Sequence, residues 1–402
     1  MPSIRKNQPV ILGVGIANLD LEQSVDKIRS FLISGRKHTI FTPNPEICHA
    51  ASKNDHYRKI LNSSSLNIAD GFGLKIGGLI LGQKVLHRVT GIDLTWRIID
   101  LAAANHYKIM LLGGMGDTAR LAADKIKEQY PNIEIVGAAS GIEIQIEHGR
   151  IVYNIEQNQK LTKLINRAAP DILLVAFGAP KQESWIFENI GKLNSIRLAV
   201  GVGGTLDFIA GNAKRAPQWL RKIGCEWLYR LIKEPRRWRR IFAAIVLFPA
   251  TCIKWRWRWL YKYRPNIASI IYNCQNQILL IFNPRFHYWT LPQGGIGPGE
   301  NIPVASLREI REEIGMDSND LEFIKIIPSV YSYDWPREFR NFRPYKGQRQ
   351  KFICWRFTKP AQYFHFKKSD EVAGVKWVGK DELLSALPKV RRESIKKIFS
   401  YL

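Results

Sequence analysis

Between residues 1 and 213, short apolar runs alternate with helical patterns, and that alternation restricts the fold more than any other property of the chain. The runs Val10–Gly13, Thr39–Phe41, Leu66–Ala69, Ile109–Leu112, Ile133–Val136, Ile172–Ala176 and Leu198–Val200 read as strands. Segments such as Leu21–Ser34 and Thr118–Gln129 carry helical periodicity between them. Such alternation predicts a mostly parallel, doubly wound sheet. Ligands of these sheets bind beyond the carboxyl ends of the strands.

The chemically distinctive residues fall at those ends. Thr42 and Asn44 follow the second strand and Asp70 the third. Gly113 and Gly114, with Gly116, follow the fourth. Gly178, Lys181 and Gln182 follow the sixth, and Gly203 and Gly204 the seventh. Singly, each has an ordinary use, because a glycine turns the chain and an aspartate caps the next helix. Together they predict a shared substrate pocket on one sheet edge. The Gly113-Gly114-Met115-Gly116-Asp117 loop suits phosphate at a helix N-terminus, although it lacks the G-x-G-x-x-G spacing. No paired-aspartate D-x-D for a metal–nucleotide complex occurs in this half.

Nine C-terminal residues carry a second chemistry: Gly294, Glu300, Arg308, Glu309, Ile310, Glu312, Glu313, Gly315 and Met316. Glu309, Glu312 and Glu313 lie at i, i+3 and i+4, so one helical face bears three carboxylates. Like charges at that spacing destabilise a helix unless something cationic neutralises them. A hard divalent cation with oxygen ligands, Mg²⁺ or Mn²⁺, is the candidate. An acidic helix facing solvent is the plain alternative, and the spaced glycines and arginine argue against it. Pro303 suits the first helical turn and Gly315 the helix end.

The net charge of +25 over 402 residues is uneven. Residues 214–264 hold 15 Lys/Arg against 2 Asp/Glu, and six of the twelve tryptophans. Such a field attracts phosphate-rich partners, whether anionic lipid, nucleic acid or nucleotide. The run Lys254-Trp255-Arg256-Trp257-Arg258-Trp259 reads as cations alternating with exposed indoles, with Trp219 and Trp227 free to serve the core. The preceding apolar run Ile241–Ile253 is too short to span a bilayer but suits a helix lying in its surface. Stacked nucleic acid and a buried interdomain helix remain the alternatives. Five cysteines without a C-x-x-C pair exclude zinc and disulfide frameworks and point to a reducing cytoplasm. The polar opening Met1-Pro-Ser-Ile-Arg-Lys reads as no signal peptide.

Two resemblances follow from these residues. The stretches Thr42-Pro43-Asn44-Pro45-Glu46, Ala69-Asp70-Gly71, Arg88-Val89-Thr90-Gly91, Phe177-Gly178-Ala179-Pro180-Lys181-Gln182-Glu183, Gly201–Asp207, Arg215-Ala216-Pro217 and Glu226–Arg230 occur in this order. With Glu234-Pro235-Arg236-Arg237 they resemble the WecG/TagA/CpsF glycosyltransferases over about residues 8–245. The resemblance implies metal-independent, inverting transfer of N-acetylmannosamine or its uronic acid. The donor would be a UDP-sugar and the acceptor a lipid-diphosphate-linked sugar. It implies Asp70 as general base, substrate contacts from Thr42 and Asn44, and diphosphate contacts from Arg88, Arg215, Arg221, Arg230 and Arg237. It also implies that the basic segment brings the active site to an anionic membrane surface.

The C-terminal pattern resembles the Nudix box. Trp289–Gly295, Tyr333-Asp334-Trp335-Pro336 and Tyr345–Lys351 narrow the likeness to dinucleoside polyphosphate and RNA 5′-pyrophosphate hydrolases. That implies catalytic Glu309, Glu312 and Glu313, and metal ligands drawn from these with Glu300 and Glu371. It implies substrate contacts from Lys346, Arg349 and Lys351. The expected protein is α/β throughout: a Rossmann-like sheet domain (1–213), a basic helical appendage (214–264) and an α/β/α Nudix domain (265–402). The expected place is the inner face of the cell membrane, held peripherally. One catalytic half with a nucleotide-sensing partner, or an RNA-directed pyrophosphohydrolase, are the competing readings.

Overall fold

Six of the seven apolar runs of the N-terminal half pair into one parallel sheet. The computed structural model describes residues 8–402 apart from 214, 218–219, 221–225, 234–237, 285–286, 336–341, 365 and 367–371. It divides into two units, residues 1–256 with 341–344 and residues 257–340 with 345–402.

In the first unit β1 (Val10–Ile11) and β2 (Val14–Gly15) form a small hairpin where one strand was expected. Leu12 and Gly13 turn the chain at φ 49° and 85°. The main strands are β3 (His38–Phe41), β4 (Leu66–Asn67), β5 (Ile109–Gly113) and β6 (Ile135–Ala139). After a further hairpin, β7 (Ile144–Glu147) and β8 (Arg150–Tyr153), come β9 (Ile172–Ala176) and β10 (Leu198–Gly201). The parallel sheet runs β4-β3-β10-β9-β5-β6.

Strand side chains alternate between faces, so the sheet needs cover on both. On one face α1 (Leu21–Ile33), α5 (Gly91–Ala104), α6 (Thr118–Gln129) and α9 (Thr205–Ile209) pack Leu32, Ile98, Ile126 and Leu206 against Leu111, Leu174 and Val200. On the other lie α2 (Pro45–Lys53), α3 (Asp55–Ser63), α4 (Gly73–Leu81), α7 (Ile155–Ala168) and α8 (Lys181–Asn189). They pack Cys48, Ile60, Leu74, Ile165 and Trp185 against Leu112, Leu173 and Val175.

The basic segment continues through α10 (Glu226–Lys233), α11 (Trp238–Phe242), a π-helical turn (Ala243–Leu247) and α12 (Phe248–Tyr261). Here the expectation of a strip of exposed indoles is corrected. Helical period, not alternation, sorts the side chains. Phe248, Cys252 and Trp255, at i, i+4 and i+7, are buried in the core of the first unit. Gly77 of α4 makes room, since a methyl there would come within 2.5 Å of Phe248 Cζ. The Arg58 guanidinium lies over the Trp255 ring at 6.0 Å. Arg256 donates to the Leu81 carbonyl at 3.3 Å, where a cation complements the helix C-terminus. Trp257 stays half exposed. Among the described residues no helix is long and apolar enough to cross a membrane.

The second unit is built on β11 (Tyr263–Tyr272), β12 (Ile278–Asn283), β13 (Tyr288–Thr290), β14 (Gln293–Gly295), β15 (Leu321–Asp334), β16 (Gly347–Phe357) and β17 (Gly374–Val378). Its order is β13-β12-β11-β16-β15, with β14 also on β11 and β17 also on β12. Only β11 and β16 pair parallel among these described strands. The helix α13 (Ile302–Ile314) covers one face with Ile310 and Ile314 on Ile267, Ile353 and Trp355. The opposite face carries α14 (Lys380–Ala386) and α15 (Lys389–Ile398), with Leu383, Ile395 and Ile398 on Ile270 and Phe352. The result is an α/β/α sandwich.

Candidate active sites

In the parallel-sheet unit, the ends of β3, β4 and β10 converge at the start of α5. A methyl placed on Gly91 would lie 3.5 Å from both Asp70 Oδ2 and Thr42 Oγ1, and 3.9 Å from Thr205 Oγ1. Three oxygens from three strand ends therefore surround one point. The Gly91 N–H donates to Asp70 Oδ2 at 3.4 Å, so the carboxylate sits at a helix N-terminus whose dipole favours its charge. The same helix is capped by Thr90, which accepts from the Asp93 N–H at 3.2 Å. Arg215 clamps this turn, donating to Asp93 at 2.6 and 3.0 Å and to Thr90 Oγ1 at 3.0 Å.

The other expected residues are placed as follows. Asn44 caps α2, its side-chain oxygen accepting from the Ile47 N–H at 2.9 Å. Arg88 is half-buried and forms no ion pair with a described residue. Gly113 and Gly114 have φ of 105° and 81°, and a methyl on Gly113 would strike the Ala176 backbone at 2.7 Å. The Gly114 N–H is already bonded to the Ala176 carbonyl. Lys181 opens α8 and is half-buried.

Gln182 departs from the expected direct contact. It is buried, its oxygen accepts from the Gly203 N–H at 2.9 Å, and its amide donates to Glu183 at 2.8 Å. It shapes the Gly203-Gly204 loop from below. Glu183 is itself buried and bonded to Tyr57, and desolvation raises its pKa. Arg221 and Arg237 lie outside the described residues, as does the side chain of Arg230. Thr205, Thr90 and Asp93 join this site unannounced; they lay inside or beside the quoted motifs, but nothing in their spacing assigned them a role.

In the second unit Asn301 caps α13 and Gly315 ends it in the left-handed conformation at φ 72°. The face between carries the carboxylates. Glu309 is seated on Gly294, where a methyl would fall 1.7 Å from its carboxyl carbon. Glu313 accepts from the Gln293 N–H at 3.0 Å. Arg308 gathers the rest: it donates to Glu300 at 2.9 and 3.0 Å, to Glu309 at 2.7 Å and to the Gly295 carbonyl at 2.8 Å. It reaches Glu312 at 3.6 Å. Bonded by Arg308 and the Gly297 N–H, the Glu300 carboxyl is held down to about 2. Glu300 is thus engaged in orienting Arg308, while Glu312 remains largely exposed. Among the described residues no three His, Cys, Asp or Glu side chains are arranged to hold a metal ion as they stand. The donor set is nevertheless all oxygen and on one helical face, which suits Mg²⁺ or Mn²⁺. Glu371 lies outside the described residues.

Strand alternation places Arg349 and Lys351 on the α13 face of the sheet, because Ile353 and Trp355 of the same strand pack under α13. Both are exposed. Lys346 is tied instead to Asp334 at 3.2 Å and to Tyr263 at 3.1 Å. Arg264 was not anticipated: its guanidinium lies against Gly295, 2.4 Å from where a methyl would stand.

Residues 9–262 match the family model of the WecG/TagA/CpsF glycosyl transferases, and residues 262–400 that of the NUDIX domain. The chain belongs to the WecG/TagA/CpsF family. By family it is a glycosyltransferase joined to a Nudix hydrolase domain. It is 34% identical over 233 residues to the N-acetylglucosaminyldiphosphoundecaprenol N-acetyl-beta-D-mannosaminyltransferase of Staphylococcus aureus strain MRSA252, covering 58% of this chain and 85% of that protein. Two solved structures resemble the C-terminal part. A C. elegans Ap4A hydrolase complex is 19% identical, covering 34% of this chain and 96% of that one, with a TM-score of 0.27. The E. coli dihydroneopterin triphosphate pyrophosphohydrolase is 18% identical, covering 35% and 99%, with a TM-score of 0.29.

Proposed function

We propose that the N-terminal unit transfers N-acetylmannosamine, or its uronic acid, from UDP to a lipid-diphosphate-linked sugar, inverting the anomeric carbon without a metal. The observation that carries this is the convergence of Asp70, Thr42 and Thr205 on the N-terminus of α5. Asp70 takes the proton of the acceptor hydroxyl as it attacks. The Gly91 N–H at the start of α5 aims that carboxylate. The departing UDP needs positive charge, and Arg88 supplies it. Arg215 acts one step back, holding the Thr90–Asp93 turn. The substrate in that relative's name, N-acetylglucosaminyldiphosphoundecaprenol, supports this acceptor class.

The second unit, in the same proposal, hydrolyses a nucleoside diphosphate linked to another group, of dinucleoside polyphosphate or RNA 5′-pyrophosphate type. Glu309, Glu312 and Glu313 would hold Mg²⁺ there, with Glu371 as a further ligand. The metal supplies charge for the phosphate oxygens and a more acidic water. Arg308 keeps Glu309 in place, and Arg349 and Lys351 bind phosphate on the same face. The protein works peripherally at the cytoplasmic face of the membrane. Asp70→Asn tests the transfer: UDP-sugar binding is expected to survive while transfer falls by about a hundredfold or more. Wild-type transfer in that variant would remove Asp70 from the mechanism.

A further inference from the structure

Helix α4 departs from the pattern of a surface helix. Its inner face is Leu74, Gly77, Gly78 and Leu81, all buried. Its outer stripe, at i, i+4 and i+7, is Phe72, Ile76 and Leu79, exposed by 44%, 43% and 79%. A helix on a water-facing surface is polar on its outer side, whereas α4 is apolar on both. The orientation is locked, because the glycines sit where no side chain fits. A methyl on Gly73 would meet Pro45 at 2.6 Å, and one on Gly78 the Gln83 carbonyl at 2.7 Å. Gly77 holds Phe248 and Cys252 of α12 in the same way. Leu86, just beyond, is exposed too.

The surroundings name the partner. The sequence has no acidic residue between Asp70 and Asp93, while Lys75, Lys84, His87 and Arg88 fall there. It has none from residue 235 to 299 either, which includes α11, the π-helical turn and α12. Those elements expose Phe242, Ile245, Val246, Leu247 and Ile253. An apolar stripe whose own segments carry cations and no acid, with Glu46 of the neighbouring α2 paired to Arg240, fits an anionic lipid surface. The same cations would repel a second copy of the chain brought face to face.

We propose that the outer stripe of α4 is a second membrane contact, beside that of α11 and α12, and that it sets the depth of Asp70. Phe72 is two residues from Asp70, so its Cα lies within about 8 Å of the base along the chain. A stripe seated among acyl chains therefore holds the base just above them, at the level of a lipid-linked diphosphate. This rests on the proposed lipid-linked acceptor for its purpose, but the contact itself is tested without catalysis.

The full chain is titrated with vesicles of equal phosphatidylglycerol and phosphatidylcholine, at low salt and at about 0.5 M NaCl, where exposed charge is screened. The double variant Ile76→Ser/Leu79→Ser is expected to lose about tenfold in vesicle partition, the loss persisting at high salt because it is apolar. Ile33→Ser, which changes an exposed residue of α1, is expected to leave partition unchanged, and both are expected to keep the thermal midpoint. Transfer to a long-chain acceptor in vesicles is expected to fall with partition, and transfer to a short-chain soluble analogue is not. Unchanged partition in the double variant overturns the proposal. A wild-type dimer that the double variant splits, with partition intact, also overturns it and assigns the stripe to a second copy. Absence of transfer to any acceptor by the wild type would sink the transferase reading, while the partition data still decide the role of α4.

Discussion

Gly294→Ala separates the Nudix site from the Nudix fold. The added methyl would lie 1.7 Å from the Glu309 carboxyl carbon and 2.0 and 2.2 Å from its oxygens. Ordinary carbon contacts are about 3.5–4.0 Å, so the carboxylate must retreat by roughly 2 Å. The backbone need not move, because Glu309 is the flexible end of the contact. A misplacement of about 1 Å at a reacting centre can cost about a hundredfold, so turnover is expected to fall at least that far. Stability is a different matter. The retreat breaks the Arg308–Glu309 bond, whose partners are 37% and 16% exposed. A partly exposed ion pair contributes about 1 kcal/mol at most. The variant should therefore melt within a few degrees of the wild type. The assay is Mg²⁺-dependent hydrolysis of diadenosine tetraphosphate and of 5′-triphosphorylated RNA, with Mn²⁺ binding titrated in parallel. Wild-type turnover together with wild-type Mn²⁺ affinity would refute the placement of Glu309 at the metal.

Glu312→Gln is expected to abolish Mg²⁺-dependent hydrolysis with no loss of thermal stability, since Glu312 is 62% exposed and only distantly paired; full activity would misassign the site. A fragment starting at Trp257 is expected to fold and hydrolyse, whereas one starting at Pro265 should be weaker by about 1–3 kcal/mol. The shorter piece lacks Tyr263, which donates to Asp334 at 2.8 Å, and the Lys262 carbonyl that accepts from the Lys346 N–H at 2.8 Å; equal urea midpoints would contradict this. Glu300 has its pKa lowered from 4.5 to about 2 on folding, so its stabilising effect is complete above about pH 4.5 and disappears as pH falls through 2. Glu300→Gln should accordingly be less stable than the wild type at pH 7 and equal to it near pH 2, and a pH-independent difference would exclude the Arg308 pairing as the cause.

Most of the parallel strands were legible because they are apolar, largely buried runs bounded by turn residues; β6 is only partly buried and lies two to three residues beyond the run that pointed to it. The elements missed broke one of those conditions. The β7–β8 hairpin is hardly buried, and its signal was the alternation Ile144-Gln145-Ile146-Glu147 ahead of a His148-Gly149 turn at φ 48° and 77°. In β15, Pro328 stands between paired residues at a break in register from Ile327 to Val330, and a proline inside a run argues against a strand from sequence alone. The basic segment was misread in one respect. Lys-Trp-Arg-Trp-Arg-Trp looks like a period of two, but a helix takes every third or fourth residue, so Trp255 went to the core and Arg256 to the end of α4. Strand-end chemistry was readable as a set of residue types. Which of them touch each other was not, because Gln182 and Arg215 find partners 21 and 122 residues away.

The acidic face of α13 shows how far the local rule reaches. Three glutamates at i, i+3 and i+4 demand a counter-charge, and Arg308 is the one the chain itself provides. Four of its five N–H donors are used, though: two go to Glu300, one to Glu309 and one to a carbonyl. Glu312 is left at 3.6 Å with most of its side chain in solvent, and Glu313 accepts from the Gln293 N–H. In the proposed site Glu309, held by Arg308 beside Gly294, would be the fixed ligand, and the more exposed Glu312 the carboxylate that moves onto an arriving cation. That division of labour predicts the ordering of the two variants: loss of Glu312 should weaken Mn²⁺ capture, whereas displacement of Glu309 by Gly294→Ala should spoil turnover even where Mn²⁺ still binds.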